Sequence, residues 1–401
     1  MNILVLDTIH GGEVLARHLL SSGHTVDAVD IYRHAQGIDV QQALLRSYDC
    51  IIAPVHLDPD HPLLQRKTIP RITHHEAVGR ILAGTAPMPM IEITGSQGKT
   101  TTASALASLF GGPGILHTSR GTVEYPAKTL LWKRSITPAS VIDAAMRARS
   151  LGGWLIAEES IGVSGAGSVG VLTSGEDYPI AAGKKRALAE KMRLLSRCNT
   201  VVAAPGIPPW ADHIISTDDM ASCAGNVCRY TCNGIEGSFS SDLLHLEGYR
   251  TALMTAAAVA CLCGVDPAPL AGFQALEGRM STIWAEGRLI VDNANSGTNA
   301  ATAVEAARYA RLLSPSDDLV LVIGLESRTV CEGFPEEAMW QAIAQIRPTK
   351  VMLVGATGSL PARVSAAGIP SEYCETLEEA RDRVCSRHRR ESIVLSVKTW
   401  R

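Results

Sequence analysis

The chain opens on an unbroken apolar run, Ile3-Leu4-Val5-Leu6, followed by a polar loop and a segment where Val14, Leu15, His18 and Leu19 share one helical face. Short apolar runs bounded by turn residues read as buried strands, and a 3.6-residue recurrence reads as a helix packed on them. The pattern predicts a strand at 3–6, a helix at 13–21, a strand at 26–31 ending beside Asp30, and a strand at 48–55. Pro54, Pro59, Pro62 and Pro70 punctuate the loops beyond that strand, and Gly84-Thr85-Ala86-Pro87-Met88-Pro89 reads as a linker. The alternation then resumes, with strands at 154–157, 169–173 and 200–204, helices at 139–149 and 184–196, and an Ala-rich helix at 249–263. A third series starts at Gly278-Arg279, with strands at 289–291, 319–323, 350–354 and 392–396. Strands alternating with helices imply parallel, doubly wound sheets. The expectation is an α/β protein of three domains, 1–87, 88–277 and 278–401.

Composition narrows the function classes. A chain of 401 residues exceeds one ordinary core, and 46% apolar with 19% charged residues describes a globular protein. A net charge of −3 and 4% aromatics leave neither an electrostatic footprint nor stacking platforms for nucleic acid. The longest apolar stretch, 251–263, is too short to span a bilayer, so no membrane partner is expected. Met1-Asn2-Ile3 enters a strand directly without a signal-peptide layout, which predicts a cytoplasmic protein. Ten cysteines then read as reduced thiols. Cys223, Cys228 and Cys232 fit no common zinc spacing and are expected to be packing residues.

One stretch breaks the alternation. Met90, Ile91 and Ile93 lead into Thr94-Gly95-Ser96-Gln97-Gly98-Lys99-Thr100-Thr101-Thr102, and a helix continues to Leu109. Strand, glycine loop, Lys-Thr and helix together form the arrangement that cradles nucleotide phosphates. Glycines let successive N–H groups turn inward, and the helix N-terminus adds partial positive charge. Gly95, Ser96, Gln97, Gly98, Lys99, Thr100 and Thr101 are therefore the expected nucleotide contacts. Lys99 would reach the terminal phosphates and Thr100 would ligate Mg2+. Glu158, ending the apolar strand before Glu159-Ser160, is placed to hold the same ion. The run Asp292-Asn293-Ala294-Asn295-Ser296-Gly297-Thr298-Asn299 suits a substrate or phosphate site, or an Asx-rich helix cap. Lysines in helices such as 187–195 are ordinarily solvated, so residue chemistry alone does not single out Lys191. No G-x-G-x-x-G follows the first strand, which disfavours a nicotinamide cofactor.

Together these segments resemble the Mur ligase superfamily, ATP-dependent carboxylate synthetases of three domains, over nearly the whole chain. The resemblance implies a Rossmann-like N-terminal substrate-binding domain, a central P-loop ATPase domain and a C-terminal α/β ligase domain. Residues 94–102 look like the family's ATP loop, and Ala157-Glu158-Glu159-Ser160 is similar to its magnesium-binding segment. Ala189-Glu190-Lys191-Met192-Arg193 matches the segment whose lysine becomes carbamylated, which makes Lys99, Glu158 and Lys191 the implied catalytic residues. Gly278-Arg279 resembles the arginine that opens the third domain and contacts ATP. Residues 291–299 look like the family's N-D-S-K-A-T-N segment, so Arg279, Asp292 and Asn295 are implied nucleotide contacts. Two departures stand out. Glu176-Asp177-Tyr178 replaces the usual Asp-His, and Asn295 or its neighbour replaces a lysine. The opening I-L-V-L-D-T-I-H-G-G, the length and the cysteine usage look most like the branch acting on a nickel-containing tetrapyrrole. The resemblance implies activation of a propionate carboxylate as acyl phosphate, then closure of a carbocyclic ring. An amide-forming ligase and a nucleotide-dependent metal-cofactor binding protein remain alternatives.

Overall fold

The computed structural model describes every residue except 34, 35, 67, 286, 315, 327–332, 356, 357, 388–390, 400 and 401. The chain forms two compact units, Met1–Phe273 and Gln274–Arg401.

In the first unit, β1 (Asn2–Leu6), β2 (Thr25–Val29), β3 (Cys50–Ala53) and β4 (Arg71–Thr73) make an all-parallel sheet ordered β2-β1-β3-β4. Parallel strands need crossovers, which run through α1 (Glu13–Ser21), α2 (Val40–Leu45) and, between β3 and β4, a loop with a short turn at Pro62–Leu64, and helix α3 (His74–Leu82) follows β4. Thr73 starts α3 with a capping box to Glu76, so the helix begins directly at the end of β4.

The second sheet is built around β5 (Met90–Thr94), with β6 (Gly114–Thr118), β7 (Gly121–Tyr125), β8 (Thr129–Trp132), β9 (Trp154–Glu158) and β10 (Val169–Leu172). A short hairpin, β11 (Pro179–Ile180) and β12 (Lys185–Arg186), precedes β13 (Thr200–Ala203) and β14 (Ile214–Ser216). The order is β14-β13-β10-β5-β9-β6-β7-β8, parallel up to β6 and antiparallel beyond it. The helices are α4 (Lys99–Leu109), α5 (Ser140–Ser150), α6 (Ala187–Leu195) and α7 (Glu247–Leu262). One hydrophobic cluster runs from Val5 and Leu15 through Val78 and Leu82 to Ile142 and Leu155, so the two sheets share a core. A three-stranded antiparallel sheet, β15 (Ala221–Ala224), β16 (Val227–Cys232) and β17 (Ile235–Ser240), lies before α7. It sets Cys223 opposite Cys228, and the nine described cysteines are free thiols.

The second unit holds one sheet of β18 (Ser281–Ala285), β19 (Arg288–Asp292), β20 (Leu319–Leu325), β21 (Lys350–Val354), β22 (Ser371–Cys374) and β23 (Ser392–Lys398). Its order is β18-β19-β23-β20-β21-β22, with only β18 antiparallel. Helices α8 (Ala300–Leu313), α9 (Glu336–Ile346), α10 (Leu360–Ala366) and α11 (Leu377–Arg387) alternate with the strands.

The elements depart from the sequence reading where the pattern is mixed. The strands β7 and β8 carry partly exposed residues in a rim position, so they lack the continuous apolar run of a central strand. The helix expected from 184 starts at Ala187, because Lys185 and Arg186 pair with Pro179 and Ile180 in the hairpin. Among the described residues, no helix is long and apolar enough to cross a membrane.

Two buried carboxyl groups lie inside the first unit. Glu92 on β5 accepts hydrogen bonds from the N–H groups of Ser164 (2.9 Å), Gly165 (3.1 Å) and Gly167 (2.7 Å) and from the Ser164 hydroxyl. Glu159 is fully buried beside it, and desolvation together with the Glu92 charge holds its pKa well above the carboxylate range. The folded state therefore keeps a proton that the unfolded chain releases near pH 4.5, so stability falls as pH rises through this interval. We expect the wild type to lose stability to denaturant as pH rises from 4.5 towards neutrality, relative to a variant without this carboxyl group. Glu159→Gln keeps a donor to Glu92 without the proton, so its profile over the same range should be flat. Parallel slopes for the two proteins would refute the assignment.

Candidate active site

The strand β5 lies between β9 and β10, with Ile93 opposite Glu158 and Thr94 opposite Leu172. Parallel register thus brings the carboxyl ends of three strands together, the place where α/β sheets bind ligands. Gly95 comes next with φ 153°, and a Cβ there would come within 2.1 Å of the Thr173 hydroxyl. Gly98 adopts a left-handed φ of 80° and caps α4, a conformation natural to glycine. Thr173, directly after β10, donates its hydroxyl to the carbonyls of Thr94 (3.2 Å) and Gln97 (2.5 Å). The Ser174 hydroxyl accepts from the N–H groups of Ser96 (2.8 Å) and Gln97 (3.1 Å). Gln97 also bonds the Glu176 carboxylate at 2.6 Å. The loop is held open in a shape whose N–H groups already converge on one oxygen.

Lys99 and Thr100 begin α4. The Lys99 ammonium donates to the Gly95 carbonyl at 3.1 Å and lies 3.9 Å from the Glu158 carboxylate. Thr100 donates to Glu158 at 2.8 Å, and the Ser119 N–H reaches the same oxygen at 3.1 Å. A hydroxyl and a carboxylate beside an anion cradle form the hard oxygen set that suits Mg2+. Glu159, next in the chain, belongs to the interior pair with Glu92 and takes no part here.

Lys191 overturns the solvated-helix expectation, because it is fully buried. Its amine donates to the Ser96 hydroxyl at 3.0 Å and lies 4.9 Å over the Tyr178 ring. Burial, with the Lys99 charge nearby, lowers its pKa to about 8. Roughly a quarter of the amine is then neutral at pH 7.5, against about one in a thousand for an ordinary lysine. Only a neutral amine can act as a nucleophile, and this pocket raises the neutral fraction of Lys191. Tyr178 serves as a wall of this pocket, while Asp177 accepts from Arg186 (2.7 Å) and from the Leu188 N–H (2.9 Å) at the start of α6. Sequence reasoning missed Ser119, Thr173, Ser174 and the structural role of Glu176. These are small polar residues in loops, and only strand register brings them to the cradle.

Arg279, Asp292 and Asn295 belong to the second unit. Asp292 is buried at the end of β19 and accepts from the Ala294 N–H at 3.0 Å. Asn295 donates to the Gly278 carbonyl at 2.6 Å and accepts from the Gly297 N–H at 2.7 Å. Asn299 caps α8 through a reciprocal bond with Thr302. Much of this polar run is therefore occupied in folding its own turn. Arg279 is half-buried, and its N–H donates to the Leu276 carbonyl at 2.9 Å.

The glycine loop, the opposing glutamate and the α/β sheets define the class of Mur-like ATP-dependent ligases. MurC, the UDP-N-acetylmuramate-alanine ligase of Thermotoga maritima, matches 99% of this chain and 95% of its own at TM-score 0.53 and 14% identity. The bifunctional folylpolyglutamate/dihydrofolate synthase of Yersinia pestis, solved with AMPPNP and a manganese ion, matches 81% and 90% at TM-score 0.54 and 13% identity. The chain belongs to the coenzyme F(430) synthetase family. It is 30% identical to the coenzyme F(430) synthetase of Methanosarcina acetivorans over 473 aligned positions, covering all of this chain and 98% of that one. Residues 284–399 match the family described as coenzyme F430 synthetase CfbE, C-terminal domain.

The buried Lys191 makes a specific stability prediction. The unfolded chain holds a proton that the folded protein gives up between pH 8 and 10.5, so wild-type stability should rise across that window. Below it the buried charge costs about 3 kcal/mol. Lys191→Met should melt at the same temperature as the wild type or higher at pH 7, lose the rise above pH 8, and lose turnover. A variant that melts several degrees lower would mean that the amine stabilises the fold.

Proposed function

We propose that this ATP-dependent ligase activates a propionate carboxylate of a nickel-containing tetrapyrrole and closes a carbocyclic ring on the same molecule. Full-length kinship to a coenzyme F(430) synthetase supports the substrate class, and the glycine loop with its buried Thr100–Glu158 pair supports the activation step. The three-part division at residues 87 and 277 belongs to this reading. The first segment would hold the substrate, the central one the nucleotide, and Arg279, Asp292 and Asn295 would add contacts from the last.

In the first step a carboxylate oxygen attacks the γ-phosphorus of ATP, the bond to the bridging oxygen breaks, and ADP leaves. The N–H groups of Ser96 and Gln97, freed from Ser174, orient the phosphates. Lys99 neutralises charge on the transferred group, where positioning and electrostatics supply most of the catalysis. Thr100 and Glu158 would hold Mg2+, with a carbamate on Lys191 as a further ligand. The ion's contribution is neutralisation of phosphate charge. In the second step a carbon of the same molecule attacks the acyl phosphate, the carbon–oxygen bond to phosphate breaks, and the carbon loses its proton. An internal nucleophile needs no amine site, in keeping with the absence of a lysine at Asn295.

Lys99→Ala should fold normally and lose turnover by about a hundredfold or more. Unchanged substrate-dependent phosphate release in this variant would remove Lys99 from the ATP site. The ring-closing step has its own signature. Purified protein given the nickel seco acid and magnesium-ATP, with no amino acid or ammonia, should form a product one water lighter, with one ADP and one phosphate. A strict need for an amine, or a heavier product by mass spectrometry, would establish the amide-forming alternative instead.

A further inference from the structure

The first sheet directs its own carboxyl ends at a second group of side chains, away from the phosphate loop residues. Asp7 and His10 follow β1, Tyr32 follows β2, His56 follows β3, and His74 and His75 open α3 after β4. All four strands are parallel, so their ends gather on one edge, the ligand-binding edge of such a sheet.

Asp7 is fully buried and adopts a left-handed φ of 72°, a strained conformation for a residue with a side chain. Its two oxygens divide their work. Oδ1 accepts from the N–H groups of Ile9 (3.0 Å) and His10 (3.2 Å) and fixes the loop. Oδ2 lies 2.6 Å from Nδ1 of His10 and 3.7 Å from Nε2 of His56. Among the described residues these three form the group whose ligand atoms lie within 4.8 Å of one another. Ligands about 2.1 Å from a common ion stand roughly 3 Å apart, which the observed spacings bracket. The rings of His10 and His56 meet edge to face at 5.1 Å, and Tyr32 stacks on His56.

The second observation is the cavity beside them. It measures about 260 Å³ and is lined by His10, His56, His74, His75, Ser160 and others. His74 bonds the Leu6 carbonyl at 2.8 Å and His75 bonds the Ser160 carbonyl at 2.9 Å, both through Nε2. Since a carbonyl only accepts, Nε2 carries the proton in each ring and Nδ1 keeps a lone pair. Both Nδ1 atoms are buried without a partner. Buried polar atoms are ordinarily satisfied, so two bare imidazole nitrogens around one cavity point to a missing electrophile.

We propose that Asp7, His10 and His56 form a coordination site for a borderline first-row divalent ion of the nickel, cobalt and zinc class, facing the cavity lined by His74 and His75. Two imidazoles with one carboxylate select such ions over Mg2+, which prefers oxygen alone. Three protein ligands leave open positions on a bare ion, whereas an ion already carried in a planar chelate would take a single axial imidazole from this group. Ser160 and Ile161, at the cavity wall, follow Glu158 by only two and three residues. A ligand anchored at this site therefore lies beside the segment that carries the phosphate-loop glutamate.

The test uses the full-length, untagged protein without nucleotide. In one arm it is titrated with Co2+ and followed by visible d–d absorption and by metal content after gel filtration. In the other it is titrated with a water-soluble nickel(II) porphyrin, followed by its Soret band. Wild type should take up one equivalent of at least one probe. His10→Ala and the His10→Ala/His56→Ala double variant should bind at least ~10-fold more weakly, with folding checked by circular dichroism. Glu158→Gln should bind like wild type. Uptake of Co2+ identifies a resident ion, and histidine-dependent uptake of the chelate alone identifies a metal that arrives inside its ligand. That second arm rests on the tetrapyrrole reading, whereas the first does not. A failed ring closure with intact Co2+ uptake would sink that reading and leave the site standing. Uptake unchanged in the double variant, lost in Glu158→Gln, or absent for both probes would overturn the proposal.

Discussion

The register of β5 between β9 and β10 is the constraint on which the active site depends. Ile93 opposite Glu158 and Thr94 opposite Leu172 leave the next residues of all three strands no option but to meet at one edge. Thr173 then ties the loop from below through the Thr94 and Gln97 carbonyls, and Glu158 ties it from the side through Thr100. A one-residue slip of β9 would turn Glu158 to the other face of the sheet and put Ala157 or Glu159 in its place. The interior Glu92–Glu159 pair guards against such a slip. Glu92 is anchored by three backbone N–H groups of the segment 164–167, which continues into β10.

That anchoring explains why the protein tolerates costly groups near the cradle. A buried lysine opposes folding at neutral pH, and nothing in α6 requires one for packing, since Leu194 and Leu195 supply the apolar face. Burial and then repulsion from Lys99 lower the pKa of Lys191, and the Ser96 hydroxyl fixes the amine's position. The Lys99 charge in the glycine loop thus also favours the neutral form of the second lysine. Converting that lysine to a carbamate would reverse the sign of its charge and turn mutual repulsion into attraction.

Much of this was legible in the sequence. The runs at 3–6, 154–157 and 351–354 are uniformly apolar because their strands are covered on both faces, and such runs advertise themselves. The glycine loop was legible because Gly95 and Gly98 sit where a side chain would clash or strain. Lys191 was invisible to residue chemistry, because nothing in Ala187–Leu195 distinguishes a lysine turned inward, and family resemblance alone marked it. The strands β7 and β8 and the β15–β17 sheet were missed for a different reason. Their alternation is interrupted by half-exposed polar residues, so packing and not pattern decides them. Asp7 with His10, His56, His74 and His75 was hidden too, because three separate strand ends contribute to one edge.

The two edges are not independent. His75 opens α3, whose Thr73 cap fixes it to the end of β4, and its ring bonds the Ser160 carbonyl two residues beyond Glu158. The Gly162 N–H in turn donates to the Thr94 side chain at the end of β5. A short path of covalent and hydrogen bonds therefore joins the carboxyl edge of the first sheet to the mouth of the phosphate loop. Ile161 sits between these two bonds at a left-handed φ of 59°, unusual for a β-branched residue. Such a conformation persists only where its surroundings over-determine it. Here the surroundings are the His75 bond on one side and the Thr94 bond on the other. The segment 158–162 is thus held from both sheets at once, and whatever occupies the histidine-lined cavity bears directly on the backbone that presents Glu158.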